Sequence, residues 1–130
     1  MSLKKRVFIA DDDEAVLTSL QRLLQLSDFE VEVTRHPKEI VDKIKAFRPD
    51  IILLDLLMPN LGGLEICEML NSDDQTQGIP IIVISALGRE EDIKRAYRLG
   101  VIGYFVKPYD FNDLLKEIRR TIAYKEAKPE

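Results

Sequence analysis

Short apolar runs alternate five times along the chain with longer stretches whose apolar residues return at helical spacing. The runs are Val7 to Ala10, Phe29 to Thr34, Ile51 to Asp55, Ile79 to Ser85 and Gly103 to Lys107. They are rich in Val and Ile, and each predicts a strand. The longer stretches repeat Val16, Leu20, Leu23 and Leu24, then Ile40, Ile44 and Phe47, then Ile66, Met69 and Leu70, then Ile93, Ala96 and Tyr97, then Leu114, Leu115, Ile118 and Ile122. These spacings predict five amphipathic helices. Strand followed by helix, with short turn-rich joints and no internal repeat, predicts an α/β fold around a parallel sheet.

Val7 to Ala10, Ile51 to Leu54 and Ile81 to Ile84 are continuously apolar, as strands covered on both faces must be. Glu30-Val31-Glu32-Val33 alternates instead, which assigns the second strand to a sheet edge. Gly63, Gly88 and Gly100 punctuate turns and helix ends. Lys125 to Glu130 has no apolar face and reads as a frayed tail or a linker remnant, and Met1-Ser2-Leu3 as an expression scar.

The chain of 130 residues suits one domain with one core, and 45% hydrophobic with 32% charged content suits a soluble packed fold. Nineteen basic residues against twenty-three acidic give a net charge of -4, a field that repels nucleic acid and anionic lipid. Any DNA binding would belong to another domain. The longest apolar run is interrupted by Pro80 and Ser85, so a membrane-spanning role is excluded. A single cysteine, Cys67, and no secretory signal at the start point to the cytoplasm.

In an open parallel sheet the carboxyl ends of the strands share one edge, and ligands bind in the crevice there. The first strand ends in Asp11-Asp12-Asp13, the third in Asp55, the fourth in Ser85 and the fifth in Lys107-Pro108. The second contributes nothing reactive. Carboxylates crowded together raise one another's pKa unless a cation relieves them. Oxygen-only ligands suit a hard ion, and Mg²⁺ prefers one or two carboxylates with waters and phosphate oxygens. A carboxylate beside Mg²⁺ can attack a phosphoryl group if a cation and hydrogen-bond donors stabilise the transferred oxygens. Lys107 and Ser85 supply those.

Each feature alone has an ordinary reading. Asp11 to Glu14 could be an acidic cap on the first helix, Asp55 a strand-to-turn exit, Lys107 a solvated lysine and Tyr104 an edge aromatic. Their joint occurrence at four strand ends carries the chemical reading. His36, before Pro37, reads as surface, and Cys67 as a small apolar group on an inward stripe with Gly63 and Leu70.

Asp11-Asp12, the stretch Asp55-Leu56-Leu57-Met58-Pro59, Ser85-Ala86 and Tyr104-Phe105-Val106-Lys107-Pro108 resemble, in order and spacing, the signature of the response-regulator receiver domain. The resemblance covers roughly residues 4 to 124, leaving 125 to 130 as the tail. It implies a flavodoxin-like (βα)5 three-layer fold with strand order 2-1-3-4-5, in agreement with the edge assignment above. It implies that Asp55 accepts the phosphoryl group, and that Asp12 directly, Asp11 through water, Asp55 and the Leu57 carbonyl hold Mg²⁺. It further implies that Lys107 pairs with phosphoryl oxygens, that Ser85 hydrogen-bonds one of them, and that Ser85 and Tyr104 form a switch. A cis Lys107-Pro108 bond is implied as well.

The implied partners are a histidine kinase or phosphotransfer protein upstream and an effector domain or protein downstream. The implied output surface is the fourth helix, fifth strand and fifth helix, roughly Arg89 to Gly100, Gly103 to Lys107 and Phe111 to Tyr124, where a partner or a second copy would dock. The chain would be a switch more than a turnover enzyme. Where receivers commonly carry a polar helix cap, this chain has Gly62. Leu57 and Leu87, two residues after Asp55 and Ser85, cannot orient a hydrolytic water, so a long-lived phosphoryl-aspartate is expected.

Competing functions fit less well. A flavin carrier needs a phosphate-cradling loop of small and hydroxyl residues where this chain has three aspartates. A haloacid-dehalogenase-like phosphatase needs a second acid two positions after its nucleophile, where Leu57 stands. A receiver serving only as a binding module would lack the acceptor, a metal carboxylate or the lysine. Asp11 to Glu14 also lacks the alternating ligands and central glycine of an EF-hand loop.

Overall fold

The computed structural model describes residues 3–59 and 61–127. Five parallel strands form one sheet: β1 (Lys5–Ala10), β2 (Phe29–Thr34), β3 (Ile51–Leu54), β4 (Ile81–Ser85) and β5 (Gly103–Val106). Their spatial order is β2-β1-β3-β4-β5, so the alternating strand does lie at an edge. The helices are α1 (Glu14–Leu26), α2 (Ile40–Phe47), α3 (Gly63–Ser72), α4 (Glu90–Arg98) and α5 (Phe111–Ala127). A two-residue antiparallel pairing of Leu57–Met58 with Leu61–Gly62 joins β3 to α3. The architecture is the flavodoxin-like α/β fold expected from the resemblance.

Successive strand residues point to opposite faces, which divides the core into two layers. Val7, Ile9, Leu53, Ile82 and Ile84 pack with Leu17, Leu20 and Leu24 of α1 and Leu114, Ile118 and Ile122 of α5. Phe8, Ala10, Ile52, Leu54 and Val83 pack with Ile40 and Ile44 of α2, Ile66, Cys67 and Leu70 of α3, and Ala96 of α4. Completely buried side chains such as Ile52 and Ile118 contribute about 1.5–3 kcal/mol each by leaving water.

Several boundaries differ from those the pattern predicts. β4 begins at Ile81, because Pro80 has no N–H for the ladder; only its carbonyl joins, accepting from the Ile52 amide. β3 and β5 end one residue short of Asp55 and Lys107, although the Asp55 amide still donates to the Ala10 carbonyl and the Lys107 amide to the Ser85 carbonyl. Helix α5 runs through Ala127, three residues into the segment read as a tail. There Lys125 donates to the Gly78 carbonyl and Glu126 pairs with Lys5. Residues 128–130 of that tail, and Met1 and Ser2, lie outside the described residues.

Two helices depart from the expected stripes, α3 at Met69 alone and α4 at Tyr97 and Asp92. On α3 the inward residues are Gly63, Ile66, Cys67 and Leu70, while Met69 is 50% exposed. On α4 they are Asp92 and Ala96, while Tyr97 is 48% exposed. Gly63 is needed for a close approach: a Cβ there would stand 2.5 Å from Leu56 Cα.

Candidate phosphorylation and metal site

Asp11, Asp55, Ser85 and Lys107 meet at the carboxyl edge of the sheet because each follows or ends a strand, three of them central and the last, β5, at the edge opposite β2. Asp11 is the first residue past β1, Asp55 the first past β3, Ser85 the last of β4 and Lys107 the first past β5. Parallel pairing of β1 with β3, β3 with β4 and β4 with β5 brings these ends level.

The aspartate triplet divides its labour. Asp13 caps α1, its carboxylate accepting from the Ala15 and Val16 amides at 3.0 and 3.3 Å. Asp11 and Asp12 remain for the crevice. The ordinary reading of the triplet as a helix cap therefore holds for one residue of the three.

Carboxylate oxygens of Asp11, Asp12 and Asp55 lie within 4.8 Å of one another. Asp11 and Asp55 are buried, at 3% and 4% exposure. Lys107 Nζ donates to Asp11 Oδ2 at 2.8 Å and to Asp55 Oδ2 at 3.2 Å. Backbone amides hold the remaining oxygens, Asp13 N–H donating to Asp11 Oδ1 at 3.0 Å and Leu57 N–H to Asp55 Oδ1 at 2.9 Å. With each Oδ1 held by an amide, the Oδ2 atoms of both carboxylates meet at Lys107 Nζ.

Burial pushes the Asp11 carboxyl above its ordinary range, with the Asp55 charge adding to the push and the Lys107 and Asp13 hydrogen bonds opposing it. Burial alone would lower the Lys107 ammonium. The hydrogen bond to Asp11 and the charges of Asp11 and Asp55 outweigh it and hold Lys107 above the usual lysine value. The ammonium stays charged, as a partner for anionic oxygens must.

The donor set is all oxygen, and three carboxylates converge with one short cation for relief. That composition fits a hard divalent ion such as Mg²⁺ and would not suit a soft one.

Ser85 is completely buried, and its Oγ accepts from the Leu87 amide at 3.2 Å. Tyr104 is half-buried, and its hydroxyl donates to the Leu87 carbonyl at 2.7 Å. Ser85 and Tyr104 therefore meet at one loop residue. Burial pushes the Tyr104 phenol above its ordinary value, and the nearby Asp92 charge adds to this. The Lys107-Pro108 peptide is cis.

Residues 7–119 match the response regulator receiver domain family. The chain is a response regulator receiver domain. It is 35% identical over 114 residues to response regulator MprA of Mycolicibacterium vanbaalenii, covering 88% of this chain and 48% of that protein. To the DNA-binding dual master transcriptional regulator RpaA of Synechocystis it is 31% identical over 120 residues, covering 88% and 47%. The receiver thus spans about half the length of these curated relatives.

Among solved structures, a CheY-like response regulator receiver domain protein from Methanospirillum hungatei superimposes with a TM-score of 0.89 at 27% identity, over 95% of this chain and 98% of that one. Chemotaxis protein CheY4 of Vibrio cholerae gives 0.85 at 26% identity, over 92% and 99%. Receiver domains are signalling switches, and the chain belongs among them. No helix among the described residues is long and apolar enough to cross a membrane.

Sequence reasoning missed one cation of this receiver. Arg35, just past β2, donates through Nε to the Asp12 carbonyl at 3.2 Å and pairs with Glu14 at 3.3 Å. The edge strand thus does reach the rim of the crevice. His36 is exposed, as read from sequence, and Gly62 stands at the N-cap of α3 with no side-chain cap hydrogen bond.

Proposed function

We propose that Asp55 accepts a phosphoryl group from a histidine kinase or phosphotransfer protein and that the receiver converts this event into a change of surface. The observation that carries the reading is the bridge made by Lys107, whose Nζ lies 2.8 Å from Asp11 Oδ2 and 3.2 Å from Asp55 Oδ2. A cation between the acceptor and a second buried carboxylate is positioned to follow the charge as it moves onto phosphoryl oxygens.

Asp11, Asp12, Asp55 and the Leu57 carbonyl would hold Mg²⁺, Asp11 through water. When bound, Mg²⁺ offsets repulsion among the carboxylates and draws charge from the phosphoryl oxygens. An Asp55 oxygen forms the new O–P bond while the P–N bond to the donor imidazole breaks, the electron pair leaving with the ring. Lys107 then exchanges a carboxylate partner for a phosphoryl oxygen. Ser85 turns its hydroxyl from the Leu87 amide to donate to another, and Tyr104 follows.

The readout surface is α4, β5 and α5, where Tyr97, Ile102 and Val106 are exposed at 48%, 42% and 39%. A downstream effector domain or protein, or a second copy forming a homodimer, docks there. The receiver occupies residues 4–124 and works in the cytoplasm, catalysing only its own phosphoryl transfer and dephosphorylation. Leu57, 47% exposed, and half-buried Leu87 flank the acceptor with apolar groups, so hydrolysis of the phosphoryl-aspartate is slow.

Incubation with acetyl phosphate, with and without chelator, followed by intact mass measurement tests the reading. A single adduct that requires Mg²⁺, is abolished in Asp55→Asn and persists after the donor is removed is expected. Mg²⁺ binding without any adduct, from acetyl phosphate or from kinases, would leave a phosphorylation-independent binding module. Rapid loss of the adduct would overturn only its long lifetime.

A further inference from the structure

Three carboxylates are buried among the described residues, and the site uses two of them, Asp11 and Asp55. The third is Asp92, at 7% exposure in the first turn of α4. An isolated buried carboxylate is costly and persists only when paired or hydrogen-bonded. Asp92 Oδ2 accepts from Arg89 Nε at 2.9 Å, yet the Arg89 side chain is 69% exposed and also reaches Glu91 at 3.3 Å. Glu90 and Glu91 already give the α4 dipole exposed anions at its N-terminus, so that role does not require burying Asp92.

What lies around the pair gives it a different meaning. Arg89 stands two residues after Leu87, whose amide donates to Ser85 Oγ and whose carbonyl accepts from Tyr104. Asp92 lies close enough to Tyr104 for its charge to act on the phenol. Helix α4 has little else to hold it, since Ala96 is the other residue it buries.

We propose that the Arg89–Asp92 ion pair is a latch, holding the loop between β4 and α4, and with it the acceptor of the Tyr104 hydroxyl, in the arrangement of the unphosphorylated receiver. Asp92 is thus a positioning residue for the switch. The inference rests on the reading that Ser85 turns toward a phosphoryl oxygen. When it does, the Leu87 amide loses its acceptor, the loop is free to move, and Arg89 moves with it. Asp92, losing its cation, can no longer stay buried and turns the first turn of α4 outward. An element with two discrete arrangements of this kind responds to any group that binds one of them better.

The test compares wild type, Asp92→Asn, Arg89→Ala and Arg89→Lys. Amide exchange is measured without donor, and the initial rate of Asp55 adduct formation with acetyl phosphate and Mg²⁺. Arg89 is exposed, so its variants fold even if Asp92→Asn does not. Exchange over residues 87–93 should rise about ten-fold in Asp92→Asn and Arg89→Ala, with α1 and α5 unchanged, because local opening loses one charged restraint. Adduct formation should quicken about three-fold as the competent arrangement gains population, with Arg89→Lys in between. Unchanged exchange, exchange raised alike in every helix, or an unchanged or slower adduct rate would overturn the latch. A wild type that forms no adduct under any donor would overturn the phosphoryl-acceptor reading, and the latch with it. An adduct on wild type with unresponsive variants would sink the latch alone.

Discussion

Helices α5 and α4 flank the same strand end and are held in opposite ways. Helix α5 sinks Leu114, Ile118 and Ile122 into the layer it shares with α1. Helix α4 buries one methyl group, Ala96, and one carboxylate, Asp92, beneath a surface of Glu90, Glu91, Lys94, Arg95 and Arg98. Uncovering a buried apolar face costs free energy in proportion to its area, whereas a partly exposed ion pair can be broken with water taking the place of the partner. The sheet carries a fixed layer on one side and, at one corner of the other, an element whose attachment is electrostatic. The corner lies beside Ser85 and Tyr104.

The comparison breaks most directly at Ile118. Its replacement by Ala should cost about 2–5 kcal/mol in urea unfolding, the range for emptying a tightly packed position. A loss under 1 kcal/mol would mean that α5 is no better anchored than α4.

A smaller effect comes from Cys67 on α3, a neighbour of α4 in the same layer. Burial pushes its thiol from an ordinary 9.0 up to about 11. The native state keeps its proton where the unfolded state has lost it. Stability from this group is therefore constant below pH 9 and declines as pH rises toward 11. Native protein at neutral pH should leave the thiol unmodified by an aromatic disulfide reagent while urea exposes it at once. Prompt native labelling would extend the loose corner to α3.

The smallest effect should be at Tyr97, where Ala should shift stability by no more than about 0.5 kcal/mol because the ring is half in water. Its cost should instead appear in docking of a partner or second copy, measured as a weaker association of the phosphorylated form.

How much of this was legible in the sequence depends on the kind of information involved. Asp55, Ser85 and Lys107 could be read because each closes an apolar run, and a parallel sheet aligns such ends whatever the helices do. The edge position of the second strand followed from Glu30 and Glu32 interrupting it, whereas the full strand order came only with the resemblance to receivers. The inward face of α4 could not be read. Ile93, Ala96 and Tyr97 make a plausible stripe, but rotation of a short, highly charged helix is set by its neighbours, and here an ion pair with Arg89 makes Asp92 acceptable inside. On α3 Met69 alone departs from its stripe, while Cys67 lies inward with Gly63 and Leu70 as read. The residues alone could not divide the triplet Asp11-Asp12-Asp13, because a cap and a crevice ligand use the same side chain; only the resemblance set Asp11 and Asp12 apart, and the capping role of Asp13 came from the backbone direction. Arg35 carried no signal, since a lone arginine after an edge strand is normally solvated.

The bridge made by Lys107 also bears on how the protein is made. Its three atoms of interest belong to residues 11, 55 and 107, so the crevice draws on nearly the whole length of the chain. On the ribosome, which releases the chain from its amino terminus, both carboxylates emerge long before their cation. Until β5 has left the exit tunnel and zipped onto β4, Asp11 and Asp55 of the nascent polypeptide stand without their cation. The proposed acceptor site is thus completed only when the fifth strand joins the sheet.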